Sequence, residues 1–121
     1  ECIAGSHLSN VLHKPKRFNG NDLYENDKSI EVPDINANRD DYKILSWEIK
    51  AGDAIAFDFR TLHGASENVN KLSRRRIFSA RIVGDDAFFV DRGGKGSPPF
   101  ENIKLKTGDK LVGEEFPIIY Q

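Results

Sequence analysis

The sequence predicts an all-β domain of the barrel or jelly-roll kind, in which strands are set apart by loops that carry the chemistry. Three observations support this. Apolar residues between Tyr42 and Val83 fall in short strand-like runs, Gly-Asp pairs and other turn residues separate those runs, and no stretch holds the 3.6-residue period beyond about two turns of helix.

Taken in order, Cys2-Ile3-Ala4 reads as a short strand entering a Gly5-Ser6-His7 turn. Leu8 to Asn38 is rich in Asn, Asp, Lys and Pro without regularly spaced apolar residues, which predicts a long surface loop with room for one helical turn, anchored by Phe18 and Tyr24. Val32-Pro33-Asp34 and Asn36 to Asp41 continue that loop. From Tyr42 the pattern is β, and Ile44, Leu45, Trp47 and Ile49 lead into Ala51-Gly52-Asp53, where glycine and aspartate suit a tight turn. Ala54 to Phe59 is apolar on both faces apart from Asp58, so a central strand covered on both sides is expected. Arg60-Thr61-Leu62-His63 finishes it, and Gly64 to Asn68 turns the chain away. A further strand is expected from about Arg75 to Val83, with Phe78, Ala80 and Ile82 on one face and Arg75, Ile77, Ser79 and Arg81 on the other. Two arginines and a serine on one face predict a wet cavity or a ligand. Gly84-Asp85-Asp86 closes that strand, and Ala87 to Val90 forms another short one. Arg92 to Pro99 is too rich in Gly and Pro for regular structure. A strand at Asn102 to Leu105, a turn at Thr107-Gly108-Asp109 and an apolar end, Phe116 to Tyr120, packed back on the core complete the reading.

With 121 residues, 38% hydrophobic and 31% charged, the chain suits a single domain, residues 1–121, with a modest core. Its 18 basic and 19 acidic residues nearly cancel, which argues against nucleic acid or an anionic membrane as a partner. A lone cysteine, Cys2, excludes an internal disulfide framework and a Cys-rich zinc site, and favours a reducing compartment such as the cytoplasm. No apolar run is long enough to span a bilayer, and no leader is visible. Glu1-Cys2-Ile3-Ala4 reads as the tail of a strand already in progress, so the chain is expected to be a piece of something longer.

The chemistry concentrates between Trp47 and Arg81. A histidine at a strand end, with arginine returning on the next segment, is what a metal site that also grips a carboxylate needs. The plainer alternatives are that His63 only caps its strand and that Arg75 is a surface residue in a weak ion pair. Arg74-Arg75-Arg76, without interleaved aromatics, reads as solvated or divided between strand faces rather than as a nucleic-acid site. His7, Asp53, Asp85 and Asp86 read as turn residues, and Cys2 as a small buried side chain.

GDAIAFDFRTLHGASENV, followed by RRRIFSARIVGDDAFF, resembles the C-terminal half of the phytanoyl-CoA dioxygenase family, Fe(II)- and 2-oxoglutarate-dependent oxygenases. The resemblance begins at Gly5-Ser6-His7, which looks like the family's GSH turn, and continues into GKGSPPF and LVGEEFPIIY; apart from the loop from Leu8 to Tyr42 it covers most of the chain. It implies a partial double-stranded β-helix, cupin-like and lacking the N-terminal strands. It also implies an oxygenase that activates dioxygen with iron, decarboxylates 2-oxoglutarate to succinate and hydroxylates a C–H bond of a small organic substrate.

By that resemblance His63 is the distal histidine of the iron-binding triad, and Asn68 shapes the loop after it. The arginine for the far carboxylate of 2-oxoglutarate falls on Arg74 counting forward from His63 and on Arg75 counting back from Ser79. Strand alternation favours Arg75, which shares a face with Ser79 as its helper. The family's His-x-Asp ligand pair is missing, because none of His7, His13 and His63 has an acidic residue two positions on. The iron and 2-oxoglutarate are therefore expected in a longer parent and not in this chain alone. A different class of reading is a non-catalytic cupin-like module that dimerises. Under both, exposed strand edges predict a homo-oligomer.

Overall fold

The computed structural model describes residues 1–17, 19–24, 27–93, 96 and 100–120. Phe18 and most of the GKGSPPF motif lie outside the described residues. The chain divides into two compact units, one of Glu1–Lys14 with Ser29–Arg76 and the other of Pro15–Lys28 with Ile77–Gln121.

In the first unit, β1 (Cys2–Ile3) pairs antiparallel with β2 (Ile44–Leu45), with Cys2 opposite Leu45 and Ile3 opposite Ile44. On its other side β1 takes a second antiparallel neighbour, since Cys2 bridges His63 and the Ile3 N–H donates to the Leu62 carbonyl at 2.9 Å. A strand with partners on both edges is the natural core, and Cys2, Ile3 and Thr61 are the buried residues here. The Gly5-Ser6-His7 turn appears as a 3-10 turn, Ser6–Leu8, entered through Gly5 at φ 76, a left-handed conformation that glycine adopts without penalty. A second 3-10 turn, Arg39–Asp41, falls where the sequence suggested loop. Within the long loop, His13 bridges Ile30.

The Lys50-Ala51-Gly52-Asp53 turn forms as expected. Its Asp53 N–H donates to the Lys50 carbonyl at 3.1 Å, the Asp53 carboxylate accepts the Lys50 N–H at 2.8 Å, and Gly52 sits at φ 101. The strand after it departs from expectation. Ala54 to Phe59 joins no ladder among the described residues, and Phe57 and Phe59 are 47% and 80% exposed. Apolar composition states that a segment would gain by burial, but only a neighbouring strand can provide it, and none of the described residues pairs here.

The second unit holds an open hairpin in which Lys16 faces Asp22, and the side chains of the two form an ion pair. Tyr24, one of the expected loop anchors, is half-buried beneath the Arg92 guanidinium, 5.6 Å from its ring. Ala87 to Val90 does pair, as Phe88 bridges Lys110 and the Phe89 N–H donates to the Asp109 carbonyl at 2.8 Å. Lys106-Thr107-Gly108-Asp109 repeats the chemistry of the first Gly-Asp turn: Asp109 N–H to Lys106 carbonyl at 2.9 Å, Lys106 N–H to Asp109 carboxylate at 2.8 Å, Gly108 at φ 98. The expected strands at Arg75 to Val83 and Asn102 to Leu105 join no ladder among the described residues, for the same want of a neighbour. At the apolar end only Phe116 packs, against Phe100 with ring centroids 5.3 Å apart, whereas Ile118 to Tyr120 stay exposed.

Among the described residues there is no α-helix, and β1–β2 is the one sheet. This is the mostly extended, helix-free composition that an all-β reading requires. No helix there is long and apolar enough to cross a membrane.

Candidate functional site around His63

The geometry at His63 is built from the chain on either side of it. Asp58 makes a turn, since its carbonyl accepts the Thr61 N–H at 2.9 Å. The Asp58 carboxylate accepts the Arg60 backbone N–H at 2.8 Å and the Arg60 guanidinium at 3.1 and 3.2 Å. That guanidinium, helped by the backbone N–H, holds the Asp58 carboxyl down to about 2. The turn aims Thr61 to Gly64 along β1. There the Gly64 N–H donates to the Glu1 carbonyl at 3.1 Å, and the N-terminal ammonium donates to the Gly64 carbonyl at 3.0 Å. Ser6 ties in from the GSH turn, its hydroxyl donating to the Ile3 carbonyl at 2.8 Å and accepting the Leu62 N–H at 2.9 Å.

His63 is exposed, and its Nδ1 lies 2.8 Å from the Thr61 carbonyl. A carbonyl only accepts, so Nδ1 carries a proton, and in the neutral ring Nε2 keeps its lone pair. The Phe57 ring stands against the imidazole, with centroids 4.6 Å apart and planes tilted by 54°. This is the arrangement of a histidine whose outer nitrogen can accept a proton or a metal.

The following loop folds on itself. Asn68 donates through Nδ2 to the Ser73 carbonyl at 2.8 Å and accepts the Asn70 N–H at 3.2 Å; Asn70 in turn accepts the Leu72 N–H at 2.9 Å. Arg75 closes the loop, its Nη2 donating to the Ser66 carbonyl at 2.7 Å, which returns the guanidinium to a point three residues past His63. Arg74 is exposed beside it in sequence, and Ser79, also exposed, belongs to the second unit. Because Arg75 to Val83 forms no ladder among the described residues, the alternation that favoured Arg75 is not expressed as a strand face. The bond to Ser66 is what distinguishes it.

Among the described residues no three of His, Cys, Asp and Glu gather to hold a metal ion. His13 is engaged elsewhere, its Nδ1 at 3.1 Å from the Glu31 carbonyl. A single imidazole is not the three-donor set that a non-haem iron centre needs, so the residues present do not fit a complete one. A hollow of about 480 Å³ lies between the arms flanking the Lys50–Asp53 turn, lined by Trp47, Ile49 and Ile55 among others, and His63 is not part of it.

Sequence reasoning did not single out Thr61 and Phe57, which contact the imidazole, or the hydroxyl of Ser6, which accepts the Leu62 N–H. Ser6 carried a signal, as the middle of the GSH turn, but nothing in a turn motif shows that its partner is a peptide 56 residues away.

The family model described as phytanoyl-CoA dioxygenase (PhyH) matches residues 1–76, which include the GSH turn, His63 and both candidate arginines. The similarity read beyond Arg76 lies outside that match. No curated protein and no solved structure matches the chain. More than half of the sequence thus falls under one family description, and the chain belongs to the phytanoyl-CoA dioxygenase family.

Proposed function

We propose that this chain is the C-terminal portion of an Fe(II)- and 2-oxoglutarate-dependent oxygenase, contributing His63 as one metal ligand and an arginine, Arg75 in preference to Arg74, as the anchor for the oxoacid. The family generally uses iron and 2-oxoglutarate, which together supply the oxidising power for hydroxylation of a small organic substrate. The observation that carries the reading is the state of the His63 ring, with Nδ1–H satisfied by Thr61 and the Nε2 lone pair unblocked by that bond. Arg75 spends one donor on Ser66, and a guanidinium has four more, enough for a bidentate carboxylate pair. The remaining iron ligands, a His-x-Asp pair, would come from a segment preceding Glu1 in the longer protein, together with the strands that complete a double-stranded β-helix.

The test is anaerobic equilibrium dialysis of this chain against Fe(II), with and without 2-oxoglutarate. The expected result is metal well below one equivalent. One tightly held equivalent would show that the chain completes a site by itself and would refute the division of ligands proposed here. In the longer protein, His63→Ala should abolish iron retention, whereas Arg75→Ala should retain iron and weaken 2-oxoglutarate binding.

A second reading, a non-catalytic cupin-like module that pairs with its own kind, is favoured by the exposed Trp47, Ile49, Phe57 and Phe59. A strict monomer in sedimentation equilibrium would rule that module out; because a homo-oligomer is expected under both readings, dependence of iron retention on His63 in the longer protein is what separates them.

A further inference from the structure

We infer that Ser6 is a positioning residue for His63, acting through the single peptide plane between Thr61 and Leu62. The C=O and N–H of one trans peptide are rigidly coupled and point in opposite directions. In this plane the C=O end accepts the His63 Nδ1–H at 2.8 Å, and the N–H end donates to the Ser6 hydroxyl at 2.9 Å. Ser6 passes the chain on, donating to the Ile3 carbonyl at 2.8 Å. Donors therefore run in one direction, from imidazole to peptide to hydroxyl to β1. A peptide whose N–H is engaged is a better acceptor at its oxygen, so the serine strengthens the bond that selects the ring tautomer. The other backbone group of Leu62, its carbonyl, is held by the Ile3 N–H at 2.9 Å, and Thr61 is buried. The plane thus has little freedom to rotate while the serine is present. Its consequence is an Nε2 lone pair aimed outward before any metal arrives. The link to metal ligation rests on the reading under Proposed function; the link between Ser6 and the ring does not.

The experiment is long-range ¹H–¹⁵N correlation spectroscopy of the His63 ring in the full chain, at a pH where the imidazole is neutral. Wild type is expected to show the Nδ1–H tautomer in excess. Ser6→Ala is expected to lower the ratio of Nδ1–H to Nε2–H, by up to about tenfold where the freed peptide plane turns away and the whole neutral hydrogen bond is lost, and Ser6→Thr to restore it. A serine with only a structural role would lower the melting temperature of S6A and leave the ring of the folded protein unchanged, and that result overturns the inference. So does a wild-type ring already in the Nε2–H form. Should S6A not fold, Ser6→Cys replaces the hydroxyl by a weak acceptor of similar size, and the same shift is required of it. Failure of iron to depend on His63 in the longer protein would leave these ring measurements as they are, so the two ideas fail separately.

Discussion

Replacing Gly52 by alanine, with Gly64→Ala as its partner experiment, isolates the cost of backbone handedness in the turn that precedes the segment leading to His63. Gly52 sits at φ 101, and a Cβ built there meets nothing within 4 Å. The substitution therefore clashes with no neighbouring group, and its cost is the local strain of an L-residue in left-handed space, about 1–2 kcal/mol. Against this, alanine reduces the conformational freedom of the unfolded chain and returns about 0.4–1 kcal/mol. The net expectation is a loss of about 1 kcal/mol. Gly64 is also open to a Cβ, but its φ lies outside the left-handed range, so only the unfolded-state effect remains and Gly64→Ala should be neutral to stabilising by about 0.4–1 kcal/mol. The two variants should thus differ by about 1–2 kcal/mol despite identical chemistry. Urea unfolding followed by the fluorescence of Trp47, the chain's one tryptophan, reads the difference as a shift of midpoint at constant slope. Gly52→Asn should lose less than Gly52→Ala, since asparagine tolerates the left-handed region. If Gly52→Ala proves no worse than Gly64→Ala, the turn does not hold Gly52 in the left-handed conformation.

Other consequences follow from individual contacts. Because Arg60 holds the Asp58 carboxyl at about 2, below its ordinary 3.8, the pair stabilises the fold above that ordinary value and the contribution is lost as pH falls through about 2. Melting temperature against pH should accordingly flatten across that window in Asp58→Asn. Ile3→Ala removes a buried side chain from β1, which lies between β2 and the segment ending at His63, with an expected loss of about 2–3 kcal/mol by denaturation. Asn68→Ala breaks the bond to Ser73 that spans the loop and should cost about 1 kcal/mol, with faster cleavage between Ser66 and Ser73 in limited proteolysis.

How much of this was legible beforehand depends on the distance over which each feature is decided. The two Lys-x-Gly-Asp turns were readable because glycine and aspartate act within four residues. Asn68 and the loop after His63 were readable because the family motif places them. The central strand at Ala54 to Phe59 was misjudged, since its composition reports what it would gain from burial and not whether a partner stands beside it. Ser6, Thr61 and Phe57 could not be assigned to the imidazole, because their proximity depends on the path of the backbone.

By itself the amino-acid sequence determined the absence of α-helix among the described residues, the Gly-Asp turns and the family, and it nominated His63 and Arg75 as candidates. Only the tertiary structure decided that β1 lies between β2 and the segment ending at His63, that Cys2, Ile3 and Thr61 form the buried centre, and that one serine hydroxyl reaches the peptide behind the histidine. Turn chemistry is settled by neighbours along the chain. Pairing across forty to sixty residues is settled by which long loops can close and which backbone groups then find partners.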